Sequence, residues 1–365
     1  MVLYKVQYLR FLAAFFVVFY HVTMSPWLVL GWDDGVEKAK VLFGPVGVDL
    51  FFVISGFIIC YIILVGGDDA KGFYMRRLTR IVPLYWGATL VLFFMPSFLE
   101  VYDDKVTFYE LFRALFFIAT PHPASENTVF YPIYTPGWTI NYEVFFYVVA
   151  SGVLLLSGAM RREVLAGLTI AILTALVVVG YYVADTTFLG FYTHTIILEF
   201  VYGMIAACLY TRGILPKPPL AILMIALGAL GIVLYPNLNS VTEDTRYIFW
   251  GIPSALILYG AVASETHCES RHLKWAKTLG DASYAIYMTH LFMIGSLMSV
   301  WINFGITFEG PGFLIYQVVG IAGSLLLGIA VFRYVERPIL AFFRKRFVQG
   351  KTVAKDGDSI KSTIG

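Results

Sequence analysis

"GPVGVDLFFVISGFIICYIILV", residues 44–65, holds a single charged residue, Asp49. Wound as an α-helix it is about 33 Å long, enough to cross the roughly 30 Å hydrocarbon core of a bilayer. A run this apolar is too long for a strand and has no polar face to offer water, so it reads as a membrane span. Working outward, similar runs lie near 7–29, 81–97, 137–158, 164–184, 190–211, 218–236, 246–264, 282–302 and 312–334.

Composition agrees. Of 365 residues 59% are apolar and 14% charged, whereas a soluble domain has about 25% charged residues. The fold class expected is an all-α integral membrane protein with about ten transmembrane helices. The first run could pass for a signal peptide, but it lacks a small-x-small cleavage site and other spans follow, so it reads as a retained first helix. The net charge of +2 says nothing about partners, since the distribution matters more than the sum; no nucleic-acid partner is expected. Cys60, Cys208 and Cys268 have no motif spacing, which predicts reduced packing cysteines, with neither a disulfide framework nor a metal site.

Lys and Arg orient the set. Lys71, Arg76, Arg77 and Arg80 follow the second run, and Arg161 and Arg162 the fourth. Arg212 and Lys217 follow the sixth, and Arg271, Lys274 and Lys277 the eighth. The alternate loops are poor in both, so both termini are expected in the cytoplasm. "VTFYELFRALFFIAT" (106–120) is apolar but short and carries Glu110 and Arg113. Were it a span, every later basic loop would fall outside, so 106–136 reads as an external interfacial or re-entrant segment. Residues 1–345 then form one membrane domain, and 346–365 a polar cytoplasmic tail with the composition of a disordered segment.

Ionisable residues inside a bilayer cost several kcal/mol unless they face a cavity or a partner. His21 and Asp49 fall in the outer halves of the first two spans, and Glu143 about two turns into the fourth. Glu199 and His290 fall mid-span in the sixth and ninth. A hydrogen bond between helices accounts for either of these last two as well as a functional role does. Arg10 and His21 sit eleven residues apart in "RFLAAFFVVFYH", on one helix face and about 16 Å apart along the axis.

Two layers result: a basic one at the cytoplasmic face and a His/Asp/Glu one deeper. A histidine in apolar surroundings stays neutral and can act as a base, and a carboxylate such as Asp49 or Glu143 could orient it. Arg10, Arg77 and Arg80 suit a phosphate-bearing ligand, because the guanidinium fork pairs with phosphate. A phosphorylated donor with a long arm, such as a coenzyme A thioester, has the matching shape.

The chain resembles acyltransferase family 3, integral membrane enzymes that O-acylate exopolysaccharide, O-antigen and related sugars. The likeness rests on "LRFLAAFFVVFYH", "GVDLFFVISGFII", "RRLTRIVPLYW", "GWTINYEVFFY", "LGDASYAIYMTH" and "ERPI", in that order. It implies transfer of an acyl group, usually acetyl, from cytoplasmic acyl-CoA to a hydroxyl of a glycan or lipid-linked sugar. The donor would be a substrate, with no cofactor held permanently. His21 would be the catalytic base or a transient acyl carrier, and Arg10, Arg77 and Arg80 would hold the donor. Asp49 and Glu143 would support the base or position the acceptor, with Ser55 or the amide near Gly56 offering oxyanion stabilisation. Some relatives add an extracytoplasmic hydrolase-like domain. Without one, transfer is completed within the membrane domain or with separate polysaccharide-synthesis machinery, at a bacterial cytoplasmic (inner) membrane.

Two other classes fit buried charges. A secondary transporter or lipid-linked sugar flippase would use them as a proton relay, with "PLYWGATLVLFFMP" as a short, proline-bounded span. A membrane scaffold would use them as glue between helices.

Overall fold

A computed structural model describes residues 3–30, 44–66, 69–95, 107–119, 130–183, 187–238, 242, 244–264 and 274–345. These residues are helical or lie in turns and connections, with no strand among them. Among the described residues six helices are long and apolar enough to cross a membrane, with two shorter apolar ones, Pro218–Leu234 and Tyr247–Ala263.

In chain order the helices are α1 (Tyr4–Leu30), α2 (Val46–Val65), α3 (Ala70–Phe94), α4 (Phe108–Leu115), α5 (Gly137–Leu154), α6 (Arg162–Gly180), α7 (Phe188–Phe191) and α8 (Leu198–Thr211). They are followed by α9 (Pro218–Leu238), α10 (Ile252–Ala263), α11 (Lys274–Asp281), α12 (Ser283–Asn303) and α13 (Gly310–Val331). A single π-turn (Phe332–Glu336) continues α13 in a helix that reaches Lys345.

The stretch read first, α2, is the central post, packed by α1, α5, α6, α8 and α10. Its tightest partner is α8, and the reason is small residues at the crossing. A Cβ on Gly56 would land on the Phe200 carbonyl, and one on Gly203 would land on the Val53 carbonyl. Further down the same contact Cys60 and Cys208 bring their sulfurs to 3.7 Å. Aromatic rings pack beside the crossing: Phe52 meets Phe200 of α8 at 4.7 Å and Trp138 of α5 at 6.2 Å between centroids. By contrast α6 and α13 bury only a quarter or so of their apolar window, as helices facing lipid do.

Two boundaries differ from the sequence reading. The third run was expected to begin at 81, but α3 begins at Ala70, capped by Asp69, whose side chain accepts from the Gly72 amide at 3.3 Å. Arg76, Arg77 and Arg80 therefore ride on a helix and not in a loop. Lys, Arg and Met propagate helix well, so the backbone stays wound past the apolar stretch. The same fact removes the short proline-bounded span of the transporter reading, since Pro83 lies inside α3. The last helix likewise passes 334 and carries Glu336 with it.

In the 106–136 segment α4 has eight residues, about 12 Å of helix and too short to cross a bilayer. It hangs from α3, where Tyr85 and Trp86 donate to the carbonyls of Ala114 and Leu115 at 3.1 and 2.8 Å. His122, His267, His272, Cys268 and the tail 346–365 lie outside the described residues.

Candidate active site

Two helices bring three arginines to one cavity. Arg10 comes from α1, and Arg77 and Arg80, three residues apart and so on one face of α3, complete the set. Arg10 is buried although it lies only two turns into its helix. Arg80, Glu336, Glu143 and Asp281 all stand within electrostatic reach of it. Three cations converging under low-dielectric cover repel one another, so the site needs countercharge, from the protein or from a ligand.

Glu143 supplies part of it from the cavity wall. Its Oε1 accepts from Tyr147, one turn further along α5, at 2.5 Å, and from Ser55 of α2 at 3.1 Å. The Ser55 proton is thus already engaged, and Gly56 serves the α2–α8 crossing.

The cavity also meets Phe51, Thr139, Tyr284 and Tyr287. The start of α12 is pinned there by its tyrosines. Tyr284 donates to the Ile81 carbonyl at 2.7 Å, and Tyr287 reaches Thr139 at 2.9 Å and the Pro136 carbonyl at 3.2 Å. From α5's approach, Tyr134 donates to the Met288 carbonyl at 2.8 Å. These bonds set the rotation of α12, and with it the position of His290 two turns along.

His290 is fully buried and its Nε2 lies 3.3 Å from Nδ1 of His21, with ring centroids 4.9 Å apart. Tyr287, a cavity wall residue, packs its ring 5.8 Å from that of His290. The histidine pair therefore stands next to the cavity's Tyr287 end, while neither histidine lines it.

Asp49 is elsewhere. Both its oxygens are held by Arg246, Oδ1 by Nε at 2.8 Å and Oδ2 by Nη2 at 3.0 Å. The guanidinium also donates to the Pro45 carbonyl at 3.2 Å and lies over Trp138 and Trp250, 5.7 and 5.3 Å from their centroids. In the structure Asp49 is thus paired with Arg246 in a buried ion pair and not with His21. Glu143 is likewise grouped with the arginines and not with His21. Arg246 escaped the sequence reading, although an arginine at the cation-poor face, opening an apolar run, was a usable signal. Glu199 is fully buried on α8 beside Tyr202, and His194 caps a 3₁₀ turn by accepting from the Ile196 amide at 3.3 Å.

Fold and site together define a helical integral membrane protein built around a cationic cavity. Residues 3–333 match the acyltransferase domain model, and the chain belongs to that acyltransferase family, the one its motifs resemble. It is 32% identical to the exopolysaccharide production protein ExoZ of Rhizobium meliloti over 84% of this chain and 92% of that protein. It is 24% identical to a putative O-acetyltransferase of Staphylococcus aureus over 93% of this chain, and 23% identical to the O-acetyltransferase OatA of the same species over 91%. Those matches span 57% and 56% of the staphylococcal proteins. No solved structure matches the chain. The family favours the enzyme over the transporter and scaffold readings.

Proposed function

We propose that this protein moves an acyl group, acetyl foremost, from cytoplasmic acyl-CoA to a hydroxyl of a cell-surface glycan or lipid-linked sugar. The observation that carries the reading is the single cavity that gathers Arg10, Arg77 and Arg80 and reaches Tyr287, the neighbour of the His21–His290 pair. Arginines suit the donor's phosphates. The thioester would reach the histidine end, as an extended pantetheine arm allows. The names of the relatives, one for exopolysaccharide production and two for O-acetyl transfer, support a sugar hydroxyl as acceptor.

In the reaction His21 takes the hydroxyl proton as the oxygen attacks the thioester carbonyl. The carbon–sulfur bond breaks, and the proton passes from His21 to the departing thiolate. Glu143 orders Ser55 and Tyr147 in the donor cavity, and Asp49 holds the fold through Arg246. The chain lies ten times across a bacterial cytoplasmic membrane as one domain over residues 1–345. Both termini are on the donor's side, and 106–136 rests on the other face, where polysaccharide-synthesis machinery would present the acceptor.

The test is transfer of label from radiolabelled acetyl-CoA into the glycan and lipid fractions of membranes, comparing wild type with His21→Ala at matched expression. Label present in wild type and lost in the variant is the expected result. Label absent from both, with acceptor glycans present and folded protein, overturns the acetyl donor. Equal label in both removes His21 as the base.

A further inference from the structure

The two histidines fix each other's protons. His290 Nδ1 lies 2.6 Å from the Tyr287 carbonyl, an acceptor only, so that nitrogen carries the hydrogen. In a neutral ring Nε2 of His290 is then a bare lone pair. It faces Nδ1 of His21 at 3.3 Å, and the Val17 carbonyl faces the same nitrogen at 2.9 Å. Two acceptors converge on one atom, so Nδ1 of His21 is the protonated nitrogen and its Nε2 is left bare, the form a base needs. The rings are tilted by 59° and do not stack.

We infer that His290 is a positioning residue for His21: it holds the ring with Nε2 unprotonated and accepts the strengthened hydrogen bond from Nδ1 when Nε2 takes a proton. The inference rests on the acyl-transfer reading above. It assigns to an imidazole the place beside Nδ1 that a carboxylate fills in hydrolase triads. The physical advantage is burial. A lone carboxylate at a fully buried position would need its own countercharge at rest, as Asp49 has Arg246, whereas His290 is neutral until the reaction creates charge. The proton is borrowed from the hydroxyl and returned to the thiolate, so His290 ends as it began.

Solid-state ¹⁵N NMR of histidine-labelled full-length protein in bilayers reads the tautomers directly, with His21→Ala and His290→Gln spectra used for assignment. Both rings are expected as the Nδ1–H form. A His290 that carries its hydrogen on Nε2 overturns the inference whatever the activity. In the transfer assay His290→Phe is expected to lose about 100- to 1,000-fold in kcat with KM for acyl-CoA unchanged. His290→Gln keeps an acceptor near Nε2 and should recover at least tenfold of that. Equal losses in the two variants, or a loss confined to KM, overturn the role. Should His290→Phe not fold, the His290→Gln kinetics and the wild-type spectrum still decide. Wild-type protein with the expected tautomers and no transferase activity refutes the proposed reaction and leaves the proton-fixing pair standing.

Discussion

Arg246 closes on Asp49 from 197 residues away with two hydrogen bonds, one to each carboxylate oxygen, at 2.8 and 3.0 Å, and both side chains are almost wholly buried. Two charges withdrawn from water in this way repay their desolvation only as a pair. The pair ties the start of α2 to the turn that opens α10, with Trp138 and Trp250 flanking the guanidinium.

Removing one partner strands the other. Arg246→Met or Asp49→Leu is expected to cost about 3–5 kcal/mol, and the double variant substantially less than the sum. Thermal unfolding of detergent-solubilised protein measures this. Transfer per folded molecule should fall less than the folded yield; the reverse pattern would return Asp49 to the chemistry.

The arginine cavity predicts a donor-specific defect. Arg77→Ala and Arg80→Ala should each lower kcat/KM for acetyl-CoA by about 10- to 100-fold, the worth of one charge-assisted hydrogen bond. Acetyl-pantetheine, which has the arm and thioester but no phosphate, should be used about equally by wild type and variants. A matching loss with both donors would mean that these arginines hold the helices and not the phosphates.

Glu143 and Tyr147 share a short bond of 2.5 Å inside that cavity. Tyr147→Phe removes one of the donors to a partly buried carboxylate and should destabilise by about 1.5–3 kcal/mol. In a Glu143→Gln background the same change should cost under about 1 kcal/mol, a coupling that a double-mutant thermal-shift cycle resolves.

The α2–α8 crossing separates glycines needed for space from those that are incidental. Gly203→Ala sets a Cβ against the Val53 carbonyl, whereas nothing stands within 4 Å of a Cβ on Gly87 in α3. The first should cost about 1–3 kcal/mol through a forced helix shift, and the second should be neutral or stabilising by up to about 1 kcal/mol. Folded yield by size-exclusion fluorescence compares them; equal yields would refute the close crossing.

The sequence alone determined that this chain is built of apolar helices suited to a bilayer, because burial in lipid writes itself as uninterrupted apolar runs. Its motifs pointed to the acyltransferase family, and helical periodicity put Arg77 beside Arg80 and Arg10 on the face of His21. The ends of α3 were less legible, since a helix carried past its apolar stretch by Arg and Met leaves no hydropathy signal. Tertiary structure decided which polar groups meet. Asp49 read as a carboxylate to support His21 or position the acceptor; the packing of the helix that begins after Arg246 set it against that arginine. His290 read as well for helix glue as for a site, until the tyrosines of its own helix locked the rotation that sets Nε2 against His21. Periodicity fixes which residues share a face. It does not fix the axial register and rotation of one helix against another, and those are set by the packing of the whole bundle.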